Sequence, residues 1–206
     1  MSKGGKVFTT VGLLLLAAAL CLTGYNLWAD AAAGSSAKNA ARELQSAISR
    51  TAALEQAGED TVPDYLLAPE VDMPETELDG EQYIGVLELP SLSLTLPVQS
   101  QWSYPALKVS PCRYAGSAYQ GDLVVAGHNY RSHFGRLANL SPGDPVTFTD
   151  MEGSTFSYTV MELETLPADA VEEMTSGDWD LTLFTCTLDG QSRITVRCVG
   201  TDAGLS

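Results

Sequence analysis

Three side chains in the second half of the chain have the types and the spacing of a nucleophilic site. Cys186 closes the run Thr182-Leu183-Phe184-Thr185-Cys186, and a thiol at the last position of a strand reaches solvent. Covalent chemistry at sulfur requires a thiolate, and therefore an imidazole or a cation nearby. His128 ends the run Asp122 to His128 directly after Ala126-Gly127, where the absence of a side chain lets another group approach closely. Arg193 stands seven residues after Cys186, so a hairpin joining the two strands would bring it across the ladder from the thiol. Its guanidinium stays charged at any working pH and offers a planar fork of donors to an oxyanion or a substrate carbonyl. Taken singly, these are a core histidine, a buried structural thiol and an edge arginine. By alternation Thr182 and Phe184 share the face of Cys186, and Arg197 shares that of Arg193 about 13 Å further along its strand. Asn129 and Tyr130 follow His128 and read as orienting its ring or lining a groove.

The elements that must hold these residues are short strands. Period-two patterns and apolar runs predict strands at 83–89, 94–98 (closed by Pro97), 122–128, 145–150, 155–163, 180–186 and 193–199. Gly153 suits one hairpin loop and Asp189-Gly190 another. Short helices are expected at 103–109, 134–140 and 169–175. Seven or eight strands in about 120 residues predict a mainly β fold, a closed or nearly closed barrel spanning 81–206.

The first 80 residues have a different composition. Residues 1–29 contain no acid, and Lys3 and Lys6 precede an apolar run from Val7 to Trp28. Those 22 residues measure about 33 Å as a helix, enough to cross a hydrocarbon core of about 30 Å. Tyr25 and Trp28 suit the far interface, and the lysine pair predicts a cytoplasmic tail at 1–6, with everything past the 7–28 span outside the cell membrane. A cleaved signal peptide is the alternative, because Ala29-Asp30-Ala31 fits a small-x-small site. Residues 29–80 read as a stalk and acidic linker. Gly34-Ser35-Ser36 is expected to cap a helix whose stripe (Ala37, Ala40, Ala41, Leu44, Ala47, Ile48, Thr51) runs to a stop at Gly58. A stripe so rich in alanine predicts weak docking.

Charge narrows the function classes. The chain carries 11 basic and 26 acidic residues, a net −15; beyond residue 29 the balance is 9 against 26, or −17. A nucleic-acid partner is excluded for want of a basic face. Anionic lipids and wall polymers would repel this part of the chain, so a tether has to keep it near them.

Read together, VVAGHNY, TLFTC and RITV, in that order, resemble the sortases. The pattern is a His after a small residue and Gly, a TLxTC nucleophile motif, and an Arg opening the next strand. The resemblance covers roughly residues 81–200, and the layout of anchor, stalk and C-terminal barrel is similar too. It implies an eight-stranded β-barrel with Cys186 as nucleophile, His128 and Arg193 as its partners, and Thr185, Thr182 and Asn129 toward substrate. It further implies cleavage of an LPxTG-like sorting signal through a thioester, with transfer to an amine of peptidoglycan or a pilin on a Gram-positive-type surface. The short segment between 163 and 180 resembles a class D or a class-B-like short form, and no Asp-Pro aromatic lid of the class C kind stands in the stalk.

Other readings keep their place. The same residues with water as acceptor would make a hydrolase. A zinc site among His128, His133, Cys112, Cys186 and Cys198 lacks a metal-binding spacing. A non-catalytic tethered β-domain is the third. No cofactor is implied, although some sortases use calcium; Glu162, Glu164, Asp169, Glu172 and Glu173 read as a solvated acidic face, with a calcium site as the alternative. Cys112 and Cys198 are expected to be buried free thiols, a disulfide between them being the alternative.

Overall fold

A computed structural model describes residues 3–55, 64–68 and 70–201. Helix α1 (Lys3–Glu55) is followed by the single turn α2 (Asp64–Leu67). Nine strands come next: β1 (Thr76–Leu78), β2 (Glu81–Leu89), β3 (Leu94–Gln99), β4 (Cys112–Ala115), β5 (Leu123–Ala126), β6 (Pro145–Asp150), β7 (Thr155–Pro167), β8 (Leu181–Cys186) and β9 (Ser192–Gly200). Short helices α3 (Tyr104–Leu107) and α4 (Val171–Thr175) interrupt them. The sheet order is β1-β2-β3-β4-β5-β8-β9-β7-β6, and β2 pairs again with β6. Strands β2 to β9 thus close an eight-stranded barrel, and β1 pairs antiparallel with the first residues of β2, Glu81 to Tyr83. Its interior is filled by Ile84, Leu87, Leu123, Phe148, Leu183 and Val196, none of them more than marginally exposed.

The strand expectations meet this architecture closely at β6, β8 and β9, and depart from it elsewhere for physical reasons. Pro97 lies inside β3, opposite Val86, instead of ending it. It fits there because β3 meets its other neighbour, β4, only at Gln99 and Cys112, so the missing N–H interrupts no ladder. β1 and β4 had no sequence signal: each is three or four residues long and bounded by turn residues. The sheet therefore begins at Thr76, ahead of Glu81.

The largest correction concerns α1. No cap forms at Gly34-Ser35-Ser36; the helix runs unbroken through them for 53 residues, about 80 Å. Its first part is fully exposed, long and apolar enough to cross a membrane. Its second part packs on the barrel through Ala33, Ala37, Ala41, Leu44 and Ile48, all buried. The expected stripe is the docked one, but the docking is substantial. Leu44 and Ile48 join Tyr83, Val86 and Met151 in a cluster of their own, and burying such side chains is worth about 2 kcal/mol each. The alanines add little area but let the helix lie close to the sheet. Gly58, the expected stop, lies outside the described residues.

Candidate active site

The hairpin β8–β9 places two of the three candidate residues by main-chain geometry alone. Cys186 is the last residue of β8 and stands opposite Arg193 in the register. At the next position Thr187 N donates to Ser192 O, so Cys186 and Arg193 form the closer, non-hydrogen-bonded kind of pair, with Cα atoms about 4.5 Å apart. Cys186 is exposed. Arg193 Nη1 donates to the carbonyls of Ser192 (3.1 Å) and Gly190 (3.3 Å), and the guanidinium makes no ion pair among the described residues. The guanidinium is thus steadied by carbonyls and not by a carboxylate.

His128 follows the parallel neighbour of that hairpin. β5 pairs β8 with Ala126 opposite Phe184, and Gly127 N continues the ladder to Phe184 O at 3.0 Å. The Thr185 hydroxyl then donates to Gly127 O at 2.8 Å. His128 lies two residues past Ala126, the last residue of β5, as Cys186 lies two past Phe184 on β8. The chain beyond folds back, with Phe134 N on His128 O at 3.2 Å. Gly127 is required by that fold: a Cβ there would fall 2.4 Å from the Phe134 ring. The half-buried His128 ring stacks on Tyr130, with centroids 4.1 Å apart and planes at 28°. Burial, followed by the charge of Lys108, holds His128 below the ordinary imidazole value against a smaller pull from Asp30. The neutral ring is therefore favoured in the free protein.

Beside Cys186 and Arg193 opens a cavity of about 210 Å³. Trp102, Tyr114 and Phe184 form an aromatic wall, ring against ring, and Met174 of α4 contributes to the lining. His128 is not among the residues lining this cavity. The wall at α4 is held by Arg197, which is 3% exposed. Its Nε meets Glu164 Oε1 at 2.6 Å, Nη1 donates to Met174 O and Thr182 Oγ1 (3.0 Å each), and Nη2 donates to Glu173 O at 2.5 Å.

The remaining sequence candidates divide accordingly. Thr182 and Thr185 are each 2% exposed, and both hydroxyls are engaged inside the protein, one by Arg197 and the other on Gly127. Both hydroxyls thus brace the strands that carry the site. Asn129 packs over Gly135, its Oδ1 2.8 Å from where a Cβ would stand. Arg197, expected to be secondary, is the clamp of the cavity wall, and the sequence offered only its place on the face of Arg193. Glu164 of the acidic face is Arg197's partner, and among the described residues no group of three or more His, Cys, Asp or Glu side chains gathers as a metal site would need. Cys112 and Cys198 are buried free thiols, not a disulfide, and burial pushes each up to about 12.

Comparisons with known proteins give the family and the fold. The sequence pattern of the sortase domain matches residues 87–200, more than half of the chain, and the protein belongs to the sortase family. It is 28% identical over 138 residues to sortase A of Bacillus anthracis, an alignment that spans 60% of this chain and 64% of that protein. The fold is shared with sortase C of Clostridium perfringens, solved with the C-terminal cell wall sorting motif (TM-score 0.53, 22% identity, 80% of this chain and 90% of that one). It is shared equally with the sortase D5 transpeptidase of the same organism (TM-score 0.53, 15% identity, 75% and 98%).

Proposed function

We propose that this protein is a membrane-anchored cysteine transpeptidase that cleaves an LPxTG-like sorting signal through a thioester on Cys186 and passes the acyl group to an amine. The observation that carries the proposal is the register: Arg193 stands across from the thiol on one side, and on the other β8 pairs with β5, which ends two residues before His128. In the first step Cys186 gives its proton to His128 and the sulfur attacks the carbonyl of the signal's threonine-like residue. The negative charge on the tetrahedral oxygen falls to Arg193. Protonated His128 then hands its proton to the departing amine, and the thioester remains. An amine from a peptidoglycan cross-bridge or a pilin lysine attacks in turn, with His128 now taking its proton. Thr185 holds the His128 and Cys186 strands together, and the aromatic wall shelters the thioester from water. The structure of Clostridium perfringens sortase C with the C-terminal cell wall sorting motif supports a signal of that kind as the substrate class.

The exposed half of α1 is the anchor in this reading. The lysine pair sets its N-terminus in the cytoplasm and the barrel outside. The short β7–β8 connection, carrying only the five-residue α4, favours a short-form subclass of the class D or class-B-like kind.

The test supplies an LPxTG-type peptide with triglycine. The expected product is the peptide's acyl part joined to triglycine, absent with Cys186→Ala. Release of the free acid alone would mean that water is the acceptor and that the protein is a hydrolase.

A further inference from the structure

The loop that carries His128 does not stand on the barrel alone. From Asn129 to Gly135 it leans on α1, two residues beyond the apolar span. Asp30 Oδ1 accepts from Ser132 N (3.1 Å) and from Ser132 Oγ (2.6 Å), and the Asp30 carbonyl lies 3.0 Å from the same hydroxyl. These are contacts across 102 residues of sequence. Gly34, one turn on, is what lets the surfaces meet. A Cβ at that position would fall 2.6 Å from Ser132 Cβ, and a glycine inside a helix costs about 1 kcal/mol relative to alanine. Next to Ser132, His133 is 0% exposed, and neither ring nitrogen makes a well-aligned hydrogen bond among the described residues. Its ring sits edge-on to Tyr130 (centroids 5.5 Å, 64°), and Tyr130 in turn stacks on His128. A continuous set of contacts therefore runs from the foot of the helix to the imidazole: Asp30, Ser132, His133, Tyr130, His128.

We infer that Asp30 is a positioning residue for His128, and that the foot of the anchor helix is a working part of the active site as well as a tether. The inference rests on the reading of His128 as the proton carrier. Its physical content is simple. A loop held only by its own turn bonds samples several positions, and a ring misplaced by about 1 Å loses much of its catalytic value. The Asp30–Ser132 junction removes that freedom by fixing the loop to a helix that is itself fixed along the sheet by Ala37, Ala41 and Leu44. The same chemistry explains why an acid follows an apolar span directly: the carboxylate caps a loop of the barrel. Burial opposes its ionisation, but the Ser132 hydrogen bonds outweigh burial and hold the carboxyl below its ordinary value.

The chain contains two histidines, His128 and His133, and both lie in this loop, so histidine-labelled full-length protein in micelles gives two ring signals, each reporting its place. Stacking on Tyr130 displaces the His128 signal by ring current. Asp30→Ala is expected to move and broaden the His128 signal, and to lower kcat for peptide transfer about tenfold with KM within twofold. Asp30→Asn keeps an acceptor for Ser132 and is expected to restore both readouts. Ser132→Ala, on the loop side, is expected to repeat part of the loss and serves if Asp30→Ala does not fold. An unchanged His128 signal in folded Asp30→Ala, or an Asn variant as impaired as the Ala variant, would overturn the inference. The signals need no substrate, so they judge the coupling by themselves. Full activity in His128→Ala would instead overturn the catalytic reading beneath it.

Discussion

The two sides of the site are built by different means. Cys186 and Arg193 are fixed by a nine-residue strand paired to a six-residue one, where main-chain hydrogen bonds set the register and the side chains follow. His128 stands just past a four-residue strand, on a loop whose position depends on Thr185, Phe134 and a helix a hundred residues away in sequence. The lesson is that one sheet delivers the thiol and the cation together, whereas the imidazole is brought into line by tertiary contacts. Substitutions should therefore act as sharp losses on the hairpin side and as graded losses on the histidine side.

The sharpest expected effect is at Arg193. Arg193→Ala should lower kcat for acyl transfer at least about a hundredfold with the melting temperature unchanged, the scale of losing one oxyanion donor. Arg193→Lys should recover little of it, because a point charge does not replace the planar fork. A loss confined to KM would move Arg193 from transition-state support to substrate binding.

The next effect reads the histidine side through stability. Burial, with His128 adding to it, depresses His133 to about 4 from an ordinary 6.5. The unfolded chain takes up a proton in that interval and the folded chain does not, so stability falls as pH drops from about 6.5 toward 4. The loss should approach about 3 kcal/mol. Urea melts of His133→Leu should be flatter across this window; an equally steep dependence would place the linkage elsewhere.

How much of this was legible in the sequence follows the same division. β6 and β8 were readable because alternation and apolar runs are local signals. The spacing of Cys186 and Arg193 implied their pairing, since a hairpin leaves a register little freedom. Nothing local announces that Ser132 meets Asp30, or that Arg197 turns inward to hold α4 through Glu164 and the carbonyls of Glu173 and Met174. Gly34-Ser35-Ser36 carries the composition of a helix start, yet the helix continues through it because the barrel supports the next turns and Gly34 is needed for contact. Propensity gave way to packing there.

Two smaller effects refine the contrast. Thr185→Val removes the hydroxyl that ties the Cys186 strand to Gly127 O, leaving a buried carbonyl short of a partner. It should cost about 1–2 kcal/mol in stability, with a partial loss of activity. Full activity with that stability loss would mean that the strands stay aligned without it. Lys108→Gln should raise the titration midpoint of the His128 ring, because the lysine's charge is second to burial in holding it down. A midpoint above the ordinary imidazole value in the unmodified protein would contradict the description of this side of the site.

Catalysis through Cys186 is tested most directly by what forms at the sulfur. Full-length protein incubated with an LPxTG-type peptide, quenched in acid and weighed intact, should gain the mass of the peptide's acyl part. Proteolytic mapping should place that mass on Cys186, with far less of it in His128→Ala and Arg193→Ala. Cleavage of the peptide by Cys186→Ala, or an acyl adduct on another residue, would contradict it.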